Sequence, residues 1–340
     1  MSGAARVSFQ SMRLLVTGAF GRLGQEGLER SFQEAHSVVA FDVPTRRNQR
    51  AARRYARRYP GRLRTVWGDI RSFEDIRPCV AQCDAIIHNA GVLAPASERN
   101  PALAYAVNVD GTRNILRAMK EQDDPPVLVF SSSLSVCGPR APGGPPLTAA
   151  DPAVGTDNYT SNKAECERLL QASGLPYVIL RIGVSVGTKA AAGDLSPDVF
   201  RLLFSIDPAT RLEWVHPEDV ALAQVRAAET PGAIGKTLMI GGGEGCRLTF
   251  GELYGAMFEA RGVGRFPPEA YGKDVYYCDW LDTTESQALL GYQRLRFDDL
   301  IGQLRRESRF TRPFTKMLAP LIRRFMLRYS EAWQGRQAPA

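Results

Sequence analysis

Tyr159 and Lys163, in Tyr159-Thr160-Ser161-Asn162-Lys163, stand four residues apart and therefore share one face of any helix that carries them. A phenol with an ordinary pKa of about 10 is a poor base near neutrality. A neighbouring ammonium favours the phenolate and equips the pair to move a proton. A second string, Gly18-Ala19-Phe20-Gly21-Arg22-Leu23-Gly24, follows the apolar run Leu14-Leu15-Val16. Its glycines let a backbone turn tightly from strand to helix and approach a pyrophosphate, whose charge faces the helix N-terminus. Gly18, Phe20, Gly21, Arg22, Leu23 and Gly24 are thus the expected cradle. Asp42 ends the next apolar run about 20 residues on, where a carboxylate accepts from the adenosine ribose hydroxyls and repels a 2′-phosphate. The two strings predict a nicotinamide cofactor, NAD by preference. Arg46 and Arg47 leave NADP open, since they reach a 2′-phosphate if their loop folds back.

These groups need a sheet to hold them. Leu14–Thr17, Val38–Phe41, Ala85–His88, Val127–Phe130, Tyr177–Leu180 and Thr237–Ile240 read as short buried strands. Helical patterns separate them, among them Ala102–Lys120, with its Asn100-Pro101 start, and Pro217–Thr230. Apolar strands alternating with helices predict an α/β fold, a doubly wound parallel sheet covered on both faces. The Pro- and Gly-rich stretch Gly138–Gly155 reads as a long functional loop. Segments 184–214 and 241–300 break the alternation and are expected to form a smaller, discontinuous substrate lobe. Residues 12–183, joined by 215–240, form the cofactor-binding part.

At 340 residues and 44% hydrophobic, the chain buries a large core. No apolar run reaches the roughly 18 residues of a membrane span. Met1–Gln10 lacks the apolar stretch of a secretory signal. Six scattered cysteines read as free thiols of a reducing cytoplasm, and three histidines without ligand spacing predict no metal site. The net charge of +7 is concentrated in nine arginines from Arg46 to Arg64 and in a stretch from Arg305 to Arg328. Without interleaved stacking aromatics other than Tyr55 and Tyr59, the first reads as a solvated helix face, and nucleic acid is not an expected partner. His88 reads as a buried strand-end residue, His216 as a structural residue before Pro217. Trp214 and Trp280 are read as pocket lining or as packing.

Beyond these strings the chain carries Gly68-Asp69-Ile70, His88-Asn89-Ala90-Gly91, Asn108-Val109-Asp110-Gly111-Thr112, Phe130-Ser131-Ser132-Ser133, Val215-His216-Pro217-Glu218-Asp219-Val220, and Asp282-Thr283-Thr284 before Leu289-Leu290-Gly291-Tyr292. Over residues 12 to 295 it resembles the extended short-chain dehydrogenases/reductases, which include nucleotide-sugar epimerases and dehydratases and 3β-hydroxysteroid dehydrogenases. The resemblance implies a Rossmann-type fold and an enzyme. It places Asp69 and Ile70 beside the adenine and Ala90 and Gly91 along the cofactor, with Asn108 and Ser131 joining them. Ser133, rather than Ser132, becomes the hydroxyl that holds the substrate oxygen beside Tyr159, and Lys163 the ligand of the nicotinamide ribose.

Two positions depart from the nucleotide-sugar pattern. In Leu180-Arg181-Ile182-Gly183-Val184 a valine stands where many such members carry a diphosphate-binding asparagine, and Cys137 replaces a common tyrosine. With Val186 and the Phe200-Leu202-Leu203-Phe204 cluster, they suit a less charged substrate. The expectation is an NAD(P)-dependent oxidoreductase interconverting a secondary alcohol and a carbonyl on a non-nucleotide, lipid-like or sterol-like molecule. The alternatives are a nucleotide-sugar epimerase or dehydratase using the same groups, and a catalytically silent cofactor-binding regulator.

Residues 305–340 lie outside the resemblance. Phe314, Met317, Leu318, Leu321, Ile322 and Phe325 recur at helical steps among Lys316, Arg323, Arg324 and Arg328, with Pro320 expected to kink or interrupt the helix. Such a basic amphipathic tail either lies in a membrane interface, making the protein membrane-peripheral, or docks on its own domain or on a second subunit in a homodimer.

Overall fold

The computed structural model describes residues 11–140, 143–188, 197–274 and 276–337. The expectations for Met1–Gln10, for 141–142 of the long loop, for 189–196 and 275 of the substrate lobe, and for the last three residues of the tail lie outside the described residues. Seven parallel strands form one sheet: β1 (Arg13–Thr17), β2 (Ser37–Asp42), β3 (Leu63–Trp67), β4 (Ala85–His88), β5 (Val127–Ser133), β6 (Tyr177–Ile182) and, after a short β7 (Arg211–Glu213), β8 (Thr237–Ile240). Their order is β3-β2-β1-β4-β5-β6-β8. β7 pairs antiparallel with β9 (Arg247–Thr249) in a separate two-stranded sheet.

Alternate residues of the central strands supply the two layers of the core. Leu14, Val16, Val38 and Ala40 pack with Leu28, Phe32, Val220 and Leu222 on one face. Leu15, Val39, Phe41 and Ile86 pack with Ile76, Ile115 and Leu170 on the other. Because both faces are buried, these strands carry nearly unbroken apolar sequence. The order reverses between β1 and β4, and the crevice at the carboxyl ends of those strands is where a doubly wound sheet takes its ligand.

The expected strands sit where their sequence places them, with β5 extended through Ser133. β3 was not anticipated. None of its residues is fully buried, as an edge strand allows. The expected helix Ala102–Lys120 begins at Pro101 with Asn100 Oδ1 accepting from the Leu103 amide at 3.1 Å. A π-turn at Ala106–Asp110 interrupts it before Gly111–Lys120.

A third apolar cluster gathers Phe204, Trp214, Leu253, Met257, Phe266, Leu300 and Met326 away from the sheet. The tail joins this cluster. Its helix Arg312–Leu327 runs through Pro320 without a break, so of the expected kink or interruption the interruption does not occur, and a second helix, Glu331–Gln337, follows.

Candidate active site

The first turn of the cofactor crevice follows β1. Gly18 adopts φ of +62°, and a Cβ there would lie 2.8 Å from the Ala90 nitrogen. A Cβ on Gly24 would strike the Gly18 carbonyl oxygen. Only glycine permits this turn to lie against the β4 end. The helix Arg22–Gln33 that follows has no side-chain cap and no acidic residue in its first turn. Its leading N–H groups are therefore unshared by any capping side chain and present partial positive charge. Both features fit a pyrophosphate.

Asp42 closes this turn from β2. One carboxylate oxygen accepts from the Phe20 amide at 2.8 Å, the other from the Val43 amide at 2.8 Å and from Asn48 Nδ2 at 3.1 Å. Burial pushes its carboxyl above the usual range, against the pull of the two backbone donors. Asn48, not Arg46 or Arg47, is the side chain in contact with Asp42. Both arginines are exposed at the start of the helix Arg46–Arg58, capped by Thr45. Phe20 is buried with its ring 5.5 Å from that of Trp67.

Along the crevice, Ile70 is buried against Gly111, while Asp69 is clasped by Arg71, whose guanidinium holds the carboxyl below its usual range. Ala90 donates its N–H to Thr17 Oγ at 3.3 Å. The π-turn aims Asn108 at the backbone of Val92, accepting from its N–H at 2.7 Å and donating to its carbonyl at 3.0 Å. The Asn108 side chain also approaches Gly91. Asn108 thereby fixes the Gly91 turn. The Ser131 hydroxyl is spent on Asn89 at 2.7 Å and receives Gln224 at 2.8 Å, so what it offers the site is its backbone carbonyl.

That carbonyl accepts from Lys163 Nζ at 2.7 Å. Lys163 is buried, lies 4.5 Å from the Phe130 ring centroid and faces Gly91. Burial pulls its pKa down, opposed by Cys166 and Glu167. It shares the helix Asn158–Gln171 with Tyr159. Asp157 caps this helix with a reciprocal bond to Thr160, and Glu98 accepts from Asn158 Nδ2 at 2.6 Å. Glu98 also accepts from the Tyr159 amide at 3.3 Å.

The Tyr159 phenol is bonded to Ser133, which in turn meets the Ser135 hydroxyl at 2.7 Å. Ser132 points elsewhere, donating to Glu167 at 2.5 Å in the interior. The structure thus brings Ser133, Tyr159 and Lys163 to one end of the sheet. One expectation changes. Burial, reinforced by Tyr276, pushes the phenol above its ordinary pKa, and the Ser133 hydrogen bond only partly offsets this. In the chain alone Lys163 does not draw it down, so the phenol keeps its proton in the free protein.

His88 is no base. Burial, aided by Lys163, lowers its pKa to about 3, and its ring bonds Thr17 Oγ at 2.7 Å and Thr112 Oγ at 3.1 Å. His216 caps the helix Pro217–Glu229 through Nδ1 and meets Gln303 at 3.2 Å. Trp214 is fully buried with its indole N–H on the Val186 carbonyl at 3.0 Å, and belongs to the core. Trp280 lies under the Arg211 guanidinium, 4.4 Å from its ring centroid.

Tyr276, close to Tyr159, and Tyr254 and Cys278, close to Tyr276, escaped the sequence reading. Tyr276 acts on both Tyr159 and Tyr254, and burial raises the pKa of these two. Arg181 is committed to Glu167 at 2.8 Å, with both side chains buried. It also donates to the Asp151 carbonyl at 2.6 Å, which ties down the loop after Ser133. Arg211 pairs with Asp279 at 2.7 Å, and Arg247 with the buried Glu213 at 3.3 Å.

Comparison with known proteins places this geometry. Residues 14–241 match the NAD dependent epimerase/dehydratase family. Human 3 beta-hydroxysteroid dehydrogenase type 7 is 32% identical over 120 residues, covering 34% of this chain and 32% of its own. UDP-glucose 4-epimerase of Lactobacillus helveticus is 27% identical over 192 residues, covering 55% of this chain and 56% of its own. The chain spans about a third to just over half the length of these curated relatives. Among solved structures, UDP-glucose-4-epimerase from Stenotrophomonas maltophila with bound NAD superposes with a TM-score of 0.73 at 23% identity, over 88% of this chain and 98% of that one. A double mutant of dTDP-glucose 4,6-dehydratase from Streptomyces venezuelae, also with NAD, gives 0.73 at 25% identity, over 89% and 98%. The glycine turn, the sheet order and the family match together make this chain a member of the NAD dependent epimerase/dehydratase family, the extended short-chain dehydrogenases/reductases.

Proposed function

We propose that the protein is an NAD-dependent dehydrogenase or reductase interconverting a secondary alcohol and a carbonyl on a neutral, sterol-like substrate. In this reading Ser133 holds the substrate oxygen and Tyr159 gives or takes its proton. Lys163 orders the nicotinamide side from its perch on the Ser131 carbonyl. Gly18, Phe20, Gly21, Arg22, Leu23 and Gly24 hold the pyrophosphate and Asp42 the adenosine ribose. Asp69 and Ile70 flank the adenine, while Ala90, Gly91 and Asn108 shape the crevice wall. NAD, when bound, supplies the hydride acceptor.

The observation that carries the substrate class is the commitment of charge. Arg181, Arg211 and Arg247 each spend their guanidinium on an internal carboxylate. A nucleotide diphosphate would need such cations free, because desolvating an unpaired phosphate is costly. Val184 offers no donor in their place. Tyr276 beside Tyr159, with Tyr254 and Cys278 next to it, suits an apolar body with one polar end. Equilibrium binding to the NAD-loaded enzyme tests this. A 3β-hydroxysteroid is expected to saturate it and UDP-glucose not to. The reverse order supports the epimerase or dehydratase reading, towards which the solved nucleotide-sugar relatives point.

The cofactor assignment makes its own prediction. Replacing Asp42 by Asn removes a charged acceptor, about 1.5–3 kcal/mol, so NAD should bind roughly ten- to a hundredfold more weakly. Because burial raises the Asp42 pKa, its carboxylate is neutralised at a higher pH than an ordinary one. As pH falls through that value the wild type should lose NAD affinity, and Asp42→Asn should lack this acid limb. Calorimetric Kd values across a pH series check it. Identical profiles, or a wild-type preference for NADP, would remove Asp42 from the role.

A further inference from the structure

The tail helix Arg312–Leu327 has two apolar stripes, and its own protein covers only one of them. Ala319 and Met326 are buried, and Ile322 packs beside them against the Phe204–Trp214 cluster. Beyond the helix end, Ser330 Oγ donates to the Ala270 carbonyl at 2.5 Å, and Trp333 joins the same cluster. The tail is therefore firmly docked, which realises one of the two fates its sequence allows.

The second stripe is exposed. Phe314, Met317, Leu318, Leu321 and Phe325 recur at three- and four-residue steps, and Phe310 precedes them. Phe310, Phe314, Met317 and Leu321 are 73%, 68%, 70% and 66% exposed. A continuous ridge of large apolar side chains on a surface marks an interaction site rather than chance exposure.

Charge selects the occupant. Between Ser308 and Ser330 the sequence contains Arg309, Arg312, Lys316, Arg323, Arg324 and Arg328 and no Asp or Glu. Among the described residues none of these six forms an ion pair with a carboxylate. A second copy meeting this ridge about a two-fold axis would bring the same cations face to face, a repulsive arrangement. An anionic lipid surface accepts both parts, burying the aromatic and aliphatic ridge below the headgroups while the cations meet lipid phosphates. No helix among the described residues is long and apolar enough to cross a membrane, which leaves an in-plane seat.

We infer that the outer stripe of the Arg312–Leu327 helix is a membrane-docking surface selective for anionic lipid, pre-formed on the folded protein. This surface is independent of the substrate reading, although a lipid-like substrate would be met there.

Full-length protein is sedimented with vesicles of phosphatidylcholine alone and of phosphatidylcholine with phosphatidylserine. Binding is expected only to the anionic vesicles, with loss at high salt. Phe314→Ser with Met317→Ser and Leu321→Ser should reduce the bound fraction at least tenfold, and Lys316→Gln with Arg324→Gln and Arg328→Gln several-fold. Both sets are to retain wild-type NAD affinity, which shows that the fold survives. Absence of sedimentation, equal binding to neutral vesicles, or ridge variants that still bind would overturn the inference. So would a concentration-dependent dimer, seen by light scattering, that the ridge variants abolish while vesicles are ignored.

Discussion

Tyr159→Phe should lower kcat by about 10² to 10⁴ while leaving the Kd for NAD close to wild type. The substitution removes one hydroxyl at the Ser133 contact and keeps the ring that fills the helix face. Because burial holds the phenol above its ordinary pKa, the free protein presents a protonated donor, suited to the reduction direction. In the proposed oxidation the phenol would first give up its proton, which a bound, positively charged nicotinamide would favour. Oxidation should therefore rise with pH over the neutral to alkaline range, and reduction should not. Lys163→Ala behaves differently. Its ammonium is buried on the Ser131 carbonyl and faces Gly91, so both rate and cofactor affinity are expected to fall. Steady-state kinetics with separate NAD titrations check both variants. Near-wild-type turnover in Tyr159→Phe would remove the tyrosine from the reaction.

The second large effect is on stability. Arg181→Met should cost about 3–5 kcal/mol, because it strands the buried Glu167 carboxylate without its guanidinium. That is a large share of the roughly 5–15 kcal/mol that holds a typical domain together. Arg181 is 3% and Glu167 1% exposed, so solvent cannot replace the lost ion. The guanidinium also donates to Asp151 and Ala149 carbonyls, so the loop after Ser133 should loosen as well. Arg181→Met combined with Glu167→Leu should recover part of the loss, since no charge then remains unpaired. Urea midpoints of the two variants measure this. A single variant as stable as wild type would contradict the network.

Much of this was legible in the sequence because periodicity and glycine chemistry are local. Six of the seven sheet strands announce themselves as apolar runs, and Gly18, Gly21 and Gly24 mark the turn by the absence of a Cβ. β3 was not legible because an edge strand can keep Arg64 and Trp67 exposed, and so lacks the apolar signature. The π-turn at Ala106–Asp110 shifts a helical register by one residue without any change in composition, and only the fold shows that it hands Asn108 to Val92. Tyr276 approaches Tyr159, and Tyr254 and Cys278 approach Tyr276, from segments about a hundred residues along the chain from Tyr159, beyond the reach of any local pattern. The tail pattern of apolar and basic residues was plain, but which stripe docks depends on the shape of the cluster beneath it.

We propose that this chain oxidises or reduces a neutral substrate with net consumption of cofactor. The direct measurement is the absorbance of reduced nicotinamide when enzyme is given excess NAD and a 3β-hydroxysteroid. Continuous accumulation of NADH over many turnovers, with the matching ketone as product, is the predicted result. No net NADH, together with an epimer or a dehydrated sugar formed from a UDP- or dTDP-sugar, would contradict it.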